Sequence, residues 1–141
     1  MVIQRWQNLL LLLAVVLMCI FCSTPFALNN VAEATDSVSP VFVKDMPVLL
    51  VLNIVIAVLL VIGIFNFKNL RRQMTITIIS VVLMCTSVVT CGFILYATMP
   101  NAEIIWTGGV LLLILALVFA IIAYRFMKKD HKLLRSYDRL R

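Results

Sequence analysis

Charge is the property this sequence has least of. Only 13% of its 141 residues are Asp, Glu, Lys or Arg, and only 6 of these are acidic. A soluble domain carries about 25% charged residues, because hydrated side chains must cover its outside. There is a single histidine, His131, set in a basic stretch with Asp130 as its one neighbouring ligand type. Metal sites need several nitrogens, sulfurs or oxygens converging on one point, so no metal and no cofactor is expected. Nothing resembles a phosphate-binding loop, a zincin helix or a nucleophile elbow, and no enzymatic activity is expected on that ground.

What is present is hydrocarbon. Hydrophobic residues make up 64% of the chain and mean hydropathy is +1.13. A helix crossing a hydrocarbon core about 30 Å thick needs about 20 apolar residues. Four stretches qualify: Leu9 to about Leu28, Val48 to Phe67, Ile76 to Thr98 and Ile104 to Phe126. None holds an acid or a base before Arg125, and none shows the single apolar stripe of a soluble amphipathic helix. The segments are too long and too unpatterned for barrel strands, and lipid admits only helices or closed barrels. The expected fold is an all-α integral membrane bundle of four transmembrane helices in one domain. Residues 127–141 are expected to form a basic helical tail.

Basic residues set the orientation, because loops rich in Lys and Arg stay in the cytoplasm. Arg5 precedes the first span, Lys68, Arg71 and Arg72 lie between the second and third, and seven of the last seventeen residues are basic. The alternate connections carry Glu33, Asp36, Asp45 and Glu103 against Lys44 alone. Both termini are therefore expected in the cytoplasm, in the inner membrane if the source is bacterial. Trp6, Phe65, Phe67 and Tyr124 then fall at the inner boundary, and Tyr96 and Trp106 at the outer one. The connection Asn29–Pro47 reads as turn or irregular structure from its Ser, Thr, Asn and Pro content. A rival reading makes the first span a cleaved signal, with Ala32-Glu33-Ala34 as its processing site. The apolar run is longer than such signals use, and the small residues lie well beyond its end.

Three chemistries compete for what remains. Cys19 and Cys22 have C-x-x-C spacing, and Cys91 in the third span falls at the depth of Cys22. That combination allows a membrane thiol–disulfide oxidoreductase. Against it, a reactive cysteine needs its thiolate, no cation lies near either pair in sequence, and buried free cysteine otherwise behaves as a small hydrophobe. A small-solute transporter would use ionisable groups inside the spans, and there are none. Asn53, the most polar residue in a span, reads as a packing hydrogen bond. Gly63, Gly92, Gly108 and Gly109, with Ser80, Thr86, Ser87 and Thr90, read as close-packing positions between helices.

The third reading is a docking surface. With no Gly or Pro after Arg125 the fourth helix can continue, placing Leu133, Leu134, Tyr137 and Leu140 on one face and Lys128, Lys132, Arg135 and Arg139 opposite. Such a basic amphipathic helix suits an anionic leaflet or an acidic protein, and it carries no specific nucleic-acid motif. Arg5, Arg71, Arg72, Lys128, Lys132, Arg135, Asp138 and Arg139 are the candidate docking residues, with Asp138 spaced to pair with Arg135. Membrane lipids, a membrane-protein partner or further copies of the chain are the expected partners of an accessory or assembly subunit.

The two ends also carry a resemblance. Ile3-Gln4-Arg5-Trp6-Gln7 before a leucine run, and Lys129-Asp130-His131-Lys132-Leu133-Leu134-Arg135-Ser136-Tyr137-Asp138-Arg139-Leu140-Arg141, are similar to the termini of a Bacteroidetes-type membrane family catalogued as domain of unknown function 4293. The connection Phe67-Lys68-Asn69-Leu70-Arg71-Arg72-Gln73 matches more loosely. The resemblance implies a four-helix membrane fold and no known activity or catalytic residue.

Overall fold

The computed structural model describes residues 2–30, 38–98, 103–106 and 108–138. Its four helices are α1 (Val2–Ser23), α2 (Pro47–Phe65), α3 (Leu70–Thr98) and α4 (Gly108–Asp138). All four are long and apolar enough to cross a membrane. The protein is a multi-pass membrane bundle, as its composition requires. Each helix packs against the next and α4 packs back against α1, so α1 and α3 stand on one diagonal and α2 and α4 on the other. The starts of α1 and α3 and the ends of α2 and α4 share one end of the bundle, which also carries most of its Lys and Arg.

Local chemistry moves the helix ends away from their expected places. α1 stops at Ser23 rather than near Leu28. The Thr24 N–H donates to the Ile20 carbonyl at 3.0 Å and its hydroxyl to the Phe21 carbonyl at 3.3 Å. Pro25 then disfavours helical geometry in the residue before it. α2 opens on Pro47, whose missing N–H costs nothing in a first turn. It closes at Asn66, whose backbone and side-chain N–H groups both donate to the Ile62 carbonyl, at 3.1 and 2.9 Å. α3 begins at Leu70, six residues before the expected Ile76, so Arg71 and Arg72 are helical rather than part of a connection.

Each helix buries one narrow seam. In α1 it is Gln7, Leu11, Ala14, Met18 and Phe21, and in α3 Gln73, Thr77, Ser80, Met84, Ser87 and Cys91. In α2 it is Leu49, Asn53, Ile56, Leu60 and Gly63, and in α4 Gly109, Leu113, Ala116, Ala120, Ala123 and Met127. The steps alternate four and three residues on every helix, the 3.5-residue repeat of left-handed helix packing. The seams are smaller and more polar than the outside. Ser87 is 0% exposed, while its neighbour Val89 is 70% exposed. Lipid reverses the soluble arrangement because hydrocarbon gives no drive to bury leucine, whereas small residues let helices approach.

Buried hydroxyls and amides are satisfied within this frame. Thr77 and Ser80 donate to the Gln73 and Ile76 carbonyls one turn earlier, both at 2.9 Å. Asn53 donates to the Leu49 carbonyl at 2.7 Å and accepts from the Ser87 hydroxyl at 3.2 Å, joining α2 to α3. Asn53 is thus the packing hydrogen bond expected. Thr86 and Thr90, expected in a packing face with Ser87, instead lie outside the seam and bond their own helix, at 3.0 and 2.8 Å. Thr86 is exposed and Thr90 half-buried, so they flank the line of Ser87 rather than share it.

The opposite end of the bundle corrects the expectation of irregular connections. Three strands, β1 (Pro25–Asn30), β2 (Val38–Phe42) and β3 (Glu103–Trp106), form an antiparallel sheet in the order β2-β1-β3. β1 pairs Ala27 with Val41 on one side and with Trp106 on the other. Phe26, Ala27, Val41 and Val43 are buried and join the helix core. Consequently α4 starts at Gly108, after β3, rather than at Ile104. A 3₁₀ turn, Val43–Asp45, leads into α2, with the Asp45 carboxylate accepting from the Phe42 N–H at 3.3 Å. The Lys44 ammonium sits 4.4 Å from the centre of the Phe42 ring.

Candidate functional site

The basic end is assembled from three chain segments. Lys68, Arg71 and Arg72 come from the α2–α3 connection and the first turn of α3, and Arg125, Lys128, Lys129 and Lys132 from α4. All seven are exposed. α4 runs unbroken from Gly108 to Asp138, so the tail is a continuation of a spanning helix. Arg5 lies in α1, and Arg135 and Asp138 lie in the last turns of α4. Arg139 lies outside the described residues.

A layer of amides holds these segments in place. Gln7 of α1 is buried, and its side-chain N–H donates to the Asp130 carboxylate of α4. One residue on, Asn8 accepts from the Gln73 side chain at 2.9 Å, crossing the diagonal from α1 to α3. Gln73 is also buried, and its backbone carbonyl takes the Thr77 hydroxyl, which in turn lies 4.0 Å from the Met127 sulfur of α4. Three helices are thereby tied together among the exposed cations, with Arg125, Lys128 and Lys129 preceding Asp130 on α4 and Lys132 following it. Polar bonds between helices are directional, so they hold the relative height of the helices as well as their separation.

Sequence reading missed Gln7, Asn8 and Gln73. Their signal was the step from Gln7 to Leu11 and from Gln73 to Thr77, the first members of the two seams. Asp130, considered beside His131 as a ligand type, is instead a partner of Gln7. Among the described residues no three His, Cys, Asp or Glu side chains gather as a metal site would require.

The arrangement of charge is informative. A helix N-terminus carries partial positive charge and favours acids in its first turn. α3 has no acid there and begins Leu70-Arg71-Arg72. α4, by contrast, carries its cations toward its C-terminal end, where the dipole favours them. Seven exposed cations at one end of a low-dielectric bundle create a field that attracts anionic surfaces. Exposed Trp6, Phe65 and Phe67 lie at the same end, where amphipathic rings settle between headgroups and tails.

The cysteines are divided between two helices, Cys19 and Cys22 in α1 and Cys85 and Cys91 in α3. All four are free: Cys19 and Cys85 are exposed, Cys22 is half-buried and Cys91 is buried. Cys22 and Cys91 belong to the diagonal helices α1 and α3. The Asn8–Gln73 bond sets Cys22 level with about Ser87, leaving Cys91 higher by roughly 6 Å, four residues at 1.5 Å each.

A family model described as Domain of unknown function (DUF4293) matches residues 3–140 of the chain. No curated protein and no solved structure matches it.

Proposed function

Since the chain belongs to the DUF4293 family, whose description assigns no activity, we propose from its geometry that it is an accessory or assembly subunit of a bacterial inner membrane. In this reading both termini are cytoplasmic and the basic end docks an acidic face of a membrane-associated protein. One observation carries it above the rest: Arg71 and Arg72 occupy the first turn of α3, where the helix dipole disfavours them. Their placement works against helix stability, so its benefit lies in orientation and in contact with something anionic. The Gln7–Asp130 and Asn8–Gln73 bonds support the same reading. A surface held ready before binding loses less conformational entropy on docking.

The test is affinity capture of the tagged protein from native membranes in mild detergent. It is run beside a variant with Arg71 and Arg72 both changed to alanine and a second with Lys128 and Lys132 changed to alanine. A stoichiometric protein recovered with the parent and lost from either variant supports docking through this surface. Equal recovery from all three places the partner elsewhere and removes this surface from the account. Retention of anionic lipid alone, lost in the variants, assigns the cations to the leaflet instead.

A further inference from the structure

The sheet has two edges, and they are not equivalent. β2 forms one edge and contains Pro40, paired with Leu28 of β1. Proline has no N–H, so the Leu28–Pro40 pair is of the non-hydrogen-bonded kind, and the vacant donor position of Pro40 falls on the outer side of β2. That edge is blunted against further pairing. The alternation then passes across β1. Leu28 and Asn30 direct their backbone groups toward β3, where they meet Ile105 and Glu103. Ile104 and Trp106 therefore direct their backbone N–H and C=O groups away from β1. No proline interrupts Glu103-Ile104-Ile105-Trp106, and among the described residues no strand pairs beyond it.

We propose that the β3 edge is a pairing site for β3 of a second copy of this chain. Hydrogen-bonding parity lets Ile104 and Trp106 pair only with Ile104 or Trp106 of the copy, and the register that uses both residues of each strand sets Ile104 opposite Trp106. Ile105 then lies opposite Ile105 of the copy on a two-fold axis, with Ile104 opposite Trp106 on either side. This register forms about four backbone hydrogen bonds, joins β-branched residues and keeps the two Glu103 positions apart.

The bilayer supplies the remaining argument. Copies inserted in the same sense can be related only by an axis along the membrane normal. The two-fold of an antiparallel pair stands perpendicular to its sheet. A sheet lying across the end of the bundle meets both conditions, and the burial of Ala27, Val41 and Val43 with the helix core fits that placement. With the β2 edge blunted, pairing stops at two copies, giving a closed dimer rather than a fibre.

The test is disulfide trapping in native membranes, in a chain with Cys19, Cys22, Cys85 and Cys91 changed to alanine. Two copper(II) phenanthroline complexes each accept one electron, becoming copper(I), and the two thiol protons pass to the buffer as the sulfur–sulfur bond forms. Ile105 occupies the same register row as exposed Pro40. Facing Cα atoms in a non-hydrogen-bonded pair lie about 4.5 Å apart, within the disulfide range. Ile105→Cys is expected to give a covalent dimer, while Lys68→Cys at the far end gives none. Adding Ile104→Pro removes an outward donor without touching the β1 ladder, and is expected to lower trapping about tenfold. As an independent reading, the cysteine-containing parent should have dimer mass in lipid nanodiscs, and its Ile104→Pro variant monomer mass. A monomeric parent, a cross-link to a protein of another size, or equal trapping at Ile105→Cys and Lys68→Cys would overturn the proposal.

Discussion

The two ends of the bundle are built by opposite means. At the basic end side chains do the joining: a glutamine–carboxylate bond and an asparagine–glutamine bond tie three helices amid a cluster of exposed cations. At the sheet end the backbone does it. β1 pairs with the nearby β2 and with β3 from a distant part of the chain, and Phe26, Ala27 and Val41 of these strands join the helix core. The difference separates duties. Apolar burial contributes more to stability than exposed charge, so the sheet end holds the fold together. The basic end carries exposed charges that do little for stability, and these are the groups the proposed docking uses.

Five variants sharpen or break this contrast. The largest effect is expected at the sheet end, where Phe26→Ala empties a fully buried aromatic position. A loss of about 3–5 kcal/mol is expected from denaturation in detergent micelles followed by circular dichroism. Next comes Gly109, where an added Cβ would meet the Pro25 carbonyl oxygen at 2.5 Å and the Phe26 Cα at 3.0 Å. Gly109→Val should cost about 1–3 kcal/mol by the same measurement. Gly108→Val, at a position with nothing within 4 Å, should stay within about 0.5 kcal/mol. Equal effects at the two glycines would break the close approach of α4 to β1.

Gln7→Leu probes the basic end, leaving the Asp130 carboxylate without its amide donor. About 1 kcal/mol is expected, with solvent exchange of backbone amides rising first in the last turns of α4. The smallest effect belongs to Arg71→Ala with Arg72→Ala, for which no measurable loss of stability is expected. If this pair unfolded the bundle as readily as Phe26→Ala, the division between the two ends would be wrong.

Part of this contrast is visible in the sequence. The uncharged runs show four spanning helices, and the lack of Gly and Pro after Arg125 shows α4 continuing. The sheet is hidden for a physical reason: Ala27 pairs with Trp106 across the whole of α2 and α3, and no local pattern reports a partner that far away. Ser, Pro and Asn in β1 and β2 also imitate a loop. The interior is hidden because nearly every helix position is apolar, so periodicity has to be read from small and polar residues. Thr77, Ser80 and Ser87 mark the α3 seam, which Gln73 extends into the basic end as Gln7 does the α1 seam. Reading Thr86 and Thr90 with Ser87 as one face missed that four-and-three rhythm.

The central claim is that these two ends lie on opposite sides of the membrane, with the cations inside. It is tested most directly by labelling single cysteines with a membrane-impermeant maleimide, placed at Pro40 or Lys132 in the chain lacking its native cysteines. Pro40→Cys should label in intact spheroplasts, and Lys132→Cys only after the membrane is opened. Labelling of Lys132→Cys in intact spheroplasts, or of both sites from the same side, would contradict the account.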